Sequence, residues 1–119
     1  MGGDSTVVGL DTATATIQVA LLRPGEQQPV EWQVANEPGA IRRLARKLRR
    51  AAPGAVQCCY EAGPGGYALQ RQLEAEGVSC VVVAPSLIPV RPGDRIKTDQ
   101  RDAIKLARLL RSGDLVSVW

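Results

Sequence analysis

The stretch TVVGLDTATATIQVALL, residues 6–22, decides the fold. Two runs rich in β-branched and aliphatic residues, Thr6–Asp11 and Thr16–Leu22, flank a short segment of small residues at 12–15. This pattern predicts a β-hairpin. A third run at 30–34 follows the turn signal Arg23-Pro24-Gly25, so we expect the chain to begin with three antiparallel strands.

From Pro38 onwards, helical and strand patterns alternate. Apolar residues spaced three and four apart predict an amphipathic helix from Pro38 to the turn at Pro53. The pattern then predicts a strand at 56–60, a helix at 67–75, a strand at 79–84, a loop at 85–93 and a last helix over Asp99–Arg111. The resulting order, βββαβαβα, is typical of an α/β fold of the ribonuclease H-like type, a mixed sheet with helices packed on it.

Composition limits the class of protein. At 119 residues and 45% hydrophobic, the chain is the size of one domain, spanning 1–119. No run approaches the roughly 18 apolar residues of a membrane span, and the first residues do not resemble a signal peptide. Three cysteines, no histidine and no CxxC spacing argue against zinc. We therefore expect a cytoplasmic protein whose thiols, Cys58, Cys59 and Cys80, are reduced and buried in strands.

Positive charge is concentrated in two segments. Six of the 15 Lys and Arg residues lie between Arg42 and Arg50, and seven lie between Arg91 and Arg111. In the first segment, Arg46, Lys47 and Arg50 are candidates for contacts with nucleic-acid phosphates. A solvated helix face explains the same pattern more simply.

Four acidic residues stand where a site is expected. Asp11 ends the first predicted strand and Glu61 follows the fourth, and α/β sheets build their sites at strand ends. At ~100° per residue, Asp99 and Asp102 fall on the same side of the last predicted helix as Leu106. We therefore expect both aspartates to face the sheet.

Converging carboxylates predict a metal site. They repel one another and raise each other's pKa values, and a divalent cation removes that cost. Oxygen donors without imidazole or thiolate favour Mg²⁺ or Mn²⁺. Two ions about 4 Å apart would activate an attacking oxygen and stabilise the leaving oxygen of a phosphodiester. Arg101 would lie on the far side of the helix, and both Lys97 and Arg101, interleaved with the aspartates, would be available for phosphate.

Each acid also has a purely structural explanation. Asp99 and Asp102 in a first helical turn satisfy capping and dipole preferences. Asp11 would equally cap a turn, and Glu61 would be an exposed charge before a glycine-rich loop. Only their combination on this strand order favours a site.

The motifs VGLDTATATIQVALL (8–22), CYEAGPGGY (59–67), VVVAPSLIP (81–89) and GDRIKTDQRDAIKLARLLRSGDL (93–115) carry a resemblance. They are similar to the N-terminal domain of the DEDD insertion-sequence transposases, which are related to Piv-type invertases and RuvC-like nucleases. Carried over by motif, the acidic tetrad of that family falls on Asp11, Glu61, Asp99 and Asp102.

The resemblance implies Mg²⁺-dependent DNA cleavage and strand transfer in transposition or site-specific recombination, directed in some members by a structured guide RNA. It also implies homo-oligomers and a C-terminal domain that supplies a nucleophilic serine. Ser86, Ser112 and Ser117 do not match the context of that serine. We therefore expect this chain to be an N-terminal fragment that supplies the acidic half of the active site.

Two other functions stay open. The first strands also resemble the phosphate hairpin of actin-like and sugar-kinase ATPases, although a second acid-and-glycine phosphate loop is lacking. The other alternative is a non-catalytic module for nucleic-acid binding or dimerisation. Nucleotide binding would favour the ATPase. Nucleic-acid binding that persists in EDTA and without Asp11 would favour the non-catalytic module.

Overall fold

A mixed sheet is the centre of the fold. The computed structural model describes residues 5–52, 54–63, 65–88, 97–99, 101–115 and 117–118. Within them, five strands are ordered β3-β2-β1-β4-β5. Strands β1 to β3 are antiparallel, and β4 and β5 extend the sheet in parallel from β1. The strands are β1 (Thr6–Thr12), β2 (Thr16–Leu22), β3 (Val30–Ala35), β4 (Val56–Glu61) and β5 (Ser79–Val83). The predicted ribonuclease H-like fold class is confirmed.

Among the described residues, three helices cover the sheet: α1 (Pro38–Ala51), α2 (Ala68–Ala75) and α3 (Ala103–Ser112). Helix α1 begins where predicted, because Pro38 supplies the fixed φ of a first turn and the Glu37 side chain accepts a hydrogen bond of 2.6 Å from the amide of Ala40. Its buried stripe, the positions spaced three and four apart, consists of Ala40, Ile41, Leu44, Ala45 and Leu48.

The two faces of the sheet carry different helices. Alternate residues of a strand point to opposite faces, and on β1 Val8 and Leu10 join the core cluster beneath α1 and α2. On the other face, Val7 packs with Ala103 and Ala107 of α3. Helices α1 and α3 therefore lie on opposite sides of the sheet, which separates the two basic segments.

The cysteine predictions are confirmed. Cys58, Cys59 and Cys80 are buried and form no disulfide. The adjacent pair points to opposite faces, since Cys58 belongs to the core beneath α1 and α2 whereas Cys59 packs against Leu106 of α3.

The segment before α3 differs from the prediction. Residues 86–88, expected as loop, and residues 97–99, with Asp99 expected to begin the last helix, form a two-stranded antiparallel ribbon. Its strands are β6 (Ser86–Ile88) and β7 (Lys97–Asp99), and Asp99 pairs with Ser86. Helix α3 begins at Ala103 and not at Asp99, because Asp102 has extended backbone angles, φ −78° and ψ 173°, and caps the helix. Asp99 is thus a strand residue. The side chains of Lys97 and Asp99 lie outside what the structure describes.

The end of α3 is tied to the turn between β2 and β3. The Arg111 guanidinium donates to the carbonyls of Glu26 (2.7 Å) and Arg23 (2.8 Å). Arg108, one turn earlier, donates to the carbonyl of Gln27 at 3.2 Å. These bonds fix the C-terminal half of α3 over the hairpin. They therefore help to set the position of the N-terminus of α3.

In the ranges that the structure describes, every helix is too short or too polar to cross a membrane.

Candidate active site

Two of the predicted acids lie on neighbouring central strands. The parallel pairing of β1 and β4 ends at Gly9 and Cys59, and two residues further along each strand are Asp11 and Glu61. By the alternation of side chains, both acids share the sheet face of Gly9 and Cys59, which is the face that α3 covers. Both side chains are partly buried. The backbone therefore places Asp11 and Glu61 at the carboxyl ends of adjacent central strands, and the convergence of their carboxylates stays a prediction.

Glu61 is held by an arginine. The Nε of Arg101 donates to Oε2 of Glu61 at 2.7 Å, and the Arg101 backbone amide donates to Oε1 at 3.2 Å. The two side chains are only 11% and 12% exposed. The prediction that Arg101 projects away from the sheet is therefore wrong. Its guanidinium fills the space between the end of β4 and the start of α3.

Asp102 is the N-cap of α3. Its Oδ1 accepts a hydrogen bond of 2.7 Å from the Lys105 amide, and the residue is exposed. Its predicted orientation towards the sheet is wrong, because a capping side chain must fold back over its own helix end. The capping interpretation, one of the two offered by the sequence, is thus confirmed, whereas a role in a metal site stays a prediction.

The glycine-rich loop after β4 is anchored next to Glu61. Tyr60 points to the opposite face, where its hydroxyl donates to the Gly66 carbonyl at 2.9 Å and accepts from the Gln70 amide at 3.3 Å. Burial raises the pKa of Tyr60, so the hydroxyl keeps its proton and can donate. Sequence reasoning missed this anchor, although a tyrosine beside a glycine-rich loop was a visible signal.

A cavity of about 510 Å³ opens at this end of the sheet, between the β1–β2 turn and the glycine-rich loop. Its lining includes Thr12, Asn36, Glu61 and Gly66. Among the described residues that line it, none is basic. Within that described lining, a polyphosphate would meet a carboxylate and no cationic side chain, which weighs against the ATPase alternative.

The donor chemistry fits a hard divalent cation. Among the side chains that the structure describes, no three acids, cysteines or histidines gather closely enough to hold a metal ion. Asp11 and Glu61, at the ends of adjacent strands, offer only oxygen. The Cys59 thiol lies on the same face, but burial raises its pKa to about 12 and keeps it protonated, hence a poor ligand. Asp11 and Glu61 suit Mg²⁺ or Mn²⁺ if Asp99 or Asp102 completes the set.

The basic residues of α1 lie away from this site. Arg46, Lys47 and Arg50 are exposed on the helix that covers the opposite face of the sheet. The Nζ of Lys47 lies 4.3 Å from the centre of the Trp32 ring, a cation–π contact. Arg46, Arg49 and Arg50 surround a surface depression of about 360 Å³. A nucleic acid bound along α1 would therefore be a different segment from one bound at Asp11 and Glu61.

Comparison with known proteins agrees with the motifs and the strand order. Residues 8–118 match the family DEDD_Tnp_IS110, described as Transposase. The chain belongs to this transposase family. It is 46% identical over 114 residues to "Putative transposase y4qE" of Sinorhizobium fredii, a match that covers 94% of this chain and 29% of that protein.

A second relative of this DEDD transposase chain is the "Transposase for insertion sequence element IS1533" of Leptospira borgpetersenii. The two are 44% identical over 106 residues, covering 88% of this chain and 30% of the relative. The chain thus spans about three-tenths of the length of the curated relatives it matches. The predicted family is confirmed.

Proposed function

We propose that this chain is the acidic catalytic domain of a transposase and takes part in metal-dependent DNA cleavage and strand transfer. The observation that carries the proposal is the placement of Asp11 and Glu61 at the carboxyl ends of adjacent parallel strands, on one face, beneath the N-terminal end of α3. Membership of the transposase family supports DNA as the substrate.

Four residues would hold the cofactor, Mg²⁺ or Mn²⁺, as two ions: Asp11, Glu61, Asp99 and Asp102. Such ions, when bound, stabilise the charge that develops on the attacking and leaving oxygens of a phosphodiester. Asp102 caps α3 through Oδ1, so we assign Oδ2 to the cation. The cap then fixes the carboxylate on a rigid helix end, and fixed ligands lose less entropy on binding.

Two further regions would meet nucleic acid. Lys97 belongs to the segment that leads into α3 and would contact phosphates near the reacting group. Arg101 would do so only once its guanidinium leaves Glu61. Arg46, Lys47 and Arg50 on the opposite face would attract a second segment, DNA or a structured guide RNA, without sequence preference. The relatives are about three times as long, so we assign the serine nucleophile, homo-oligomer formation and action in the cytoplasm to the whole protein.

A crystal soaked in Mn²⁺ tests the proposal directly. We expect anomalous density between Asp11 and Glu61, with a second peak near Asp102, and no such density in the Asp11→Asn variant. Density elsewhere, or none in wild-type crystals at a millimolar concentration of Mn²⁺, would overturn the metal site. The Glu31→Gln variant, which removes an exposed charge from β3, is the matched control and should bind Mn²⁺ as wild type does.

One observation favours the non-catalytic alternative. Glu61 is ion-paired with Arg101, and Asp102 is engaged as a helix cap. Both acids thus have structural roles that need no metal. If the domain binds duplex DNA equally well in EDTA and in Mg²⁺, and Asp11→Asn changes neither, the non-catalytic module is the better description.

A further inference from the structure

Arg101 occupies an unusual place for a residue expected to bind DNA. It lies between Asp99 and Asp102 in the sequence, and its side chain is buried between the ends of β4 and β5. Besides the two bonds to Glu61, its Nη2 donates to the carbonyl of Ala84, just after β5. The guanidinium is therefore held at the ends of both strands, immediately before α3 begins, and the Arg101 amide adds a separate bond to Glu61.

The charge of Arg101 compensates Glu61. A carboxylate that is 12% exposed would be costly without a counter-charge, and the guanidinium supplies one at 2.7 Å. The same two contacts restrict the Glu61 carboxylate to one orientation. A divalent cation that approached Oε2 would meet a positive charge already bonded to that atom.

We propose that Arg101 is a positioning residue that holds Glu61 in place and competes with the divalent cation for its carboxylate. Cation binding then requires the guanidinium to leave Oε2, while the Arg101 amide keeps Oε1 and maintains the orientation of Glu61. This inference rests on the metal site proposed above, and it adds that the site is charge-balanced by arginine before a cation binds.

Arg101→Gln removes the charge and keeps hydrogen-bond donors, and Arg101→Lys is the matched control that keeps the charge. We expect Arg101→Gln to have a lower melting temperature than wild type in EDTA, and to bind Mn²⁺ about tenfold more tightly in a titration followed by electron paramagnetic resonance. The guanidinium repels a cation that approaches the same carboxylate, so its removal strengthens cation binding. Arg101→Lys should bind Mn²⁺ as wild type does.

The failures of the two proposals are distinguishable. If wild type and Arg101→Gln bind Mn²⁺ equally and Asp11→Asn abolishes binding, the competition is overturned and the metal site stands. If neither wild type nor Arg101→Gln binds Mn²⁺, both proposals fall.

A readout on the wild-type protein uses a variant only to assign one resonance. The Nε–H resonance of Arg101, assigned by its loss in Arg101→Lys, reports the bond to Glu61. We expect Mg²⁺ to move this resonance towards the position of solvent-exposed arginines and to speed its exchange with water. If Mg²⁺ binds at Asp11 and leaves this resonance unchanged, the proposed competition between Arg101 and the cation for Glu61 is overturned.

Discussion

Gly9 on β1 lies directly beneath Ala103, the first residue of α3. A Cβ built on Gly9 would overlap the Ala103 carbonyl oxygen and approach the Ala107 amide nitrogen to 2.7 Å. The absence of a side chain at Gly9 therefore permits the helix backbone to rest on the strand. This close approach, two residues before Asp11, brings Arg101 and Asp102 to the acidic end of the sheet.

Gly9→Ala should destabilise the domain strongly. Overpacking usually costs about 1–3 kcal/mol, and here the obstacle is the backbone of α3, so we expect at least about 3 kcal/mol. Urea unfolding followed by circular dichroism measures the change in the free energy of unfolding. Gly65→Ala is the control, since nothing lies within 4 Å of a Cβ there. Equal stability of the two variants would mean that α3 does not rest on β1.

Asp102 should behave as a helix cap in metal-free buffer. Replacing an N-cap Asp by Ala costs about 0.5–2 kcal/mol, whereas Asn caps nearly as well as Asp. We therefore expect Asp102→Ala to lower the melting temperature in EDTA and Asp102→Asn to leave it nearly unchanged. For scale, Leu106→Ala, in the core beneath α3, should cost about 2–5 kcal/mol. A loss for Asn as large as that for Ala would contradict the cap.

Stability should fall at alkaline pH. Burial raises the Cys59 pKa from 9.0 to about 12. Between these values an unfolded chain releases the thiol proton and the folded chain keeps it, so stabilisation is complete below pH 9 and is lost as pH rises towards 12. One thiol contributes a slope of at most ~1.4 kcal/mol per pH unit. For Cys59→Ala, the free energy of unfolding should depend less steeply on pH over this range. Urea titrations at several pH values measure this dependence. An equal slope would contradict the raised pKa.

The α1 face should contribute to nucleic-acid affinity without changing sequence preference. Replacing Arg46, Lys47 and Arg50 by Gln should reduce the slope of log affinity against log salt by roughly one unit for each lost phosphate contact. Fluorescence anisotropy with duplex DNA and hairpin RNA measures this slope.

Arg42→Gln with Arg43→Gln is the control for that helix. Arg42 lies 3.7 Å from Glu76, and Arg43 lies 3.8 Å from Glu37. Because each is already paired with a carboxylate, we expect a smaller change in the salt slope for each charge removed. An unchanged slope in the triple variant would mean that the α1 residues are only a solvated face.

Most of the fold was predictable because its signals are local. The hairpin of β1 and β2 and the helix α1 follow from periodicity over a dozen residues and from a turn or a cap at each end. The start of α3 was not predictable, since Asp99 and Asp102 are equally good N-caps by sequence. The pairing of Asp99 with Ser86, a contact between separate segments, places Asp99 in a strand. Asp102 is then left as the N-cap of α3.

The site was predictable in its residue types but not in its contacts. The acids at the ends of β1 and β4 follow from the strand order. The bond from Arg101 to Glu61 joins residues that are far apart in the sequence, and helical periodicity assigned the arginine to the wrong side. Periodicity fails there because Arg101 precedes the helix.

The close contact of Gly9 with Ala103 joins nearly opposite ends of the chain, and this has a kinetic consequence. Long-range contacts of this kind form slowly, since the entropy of closing the intervening loop is lost before the contact contributes. During synthesis, β1 and β2 emerge long before α3, and the apolar strip of Val7, Ala20 and Leu22 stays uncovered until then. Such intermediates are prone to aggregate. A nascent chain that stops short of α3 carries Asp11 and Glu61 but has nothing to cover that strip, and we expect it to need a chaperone.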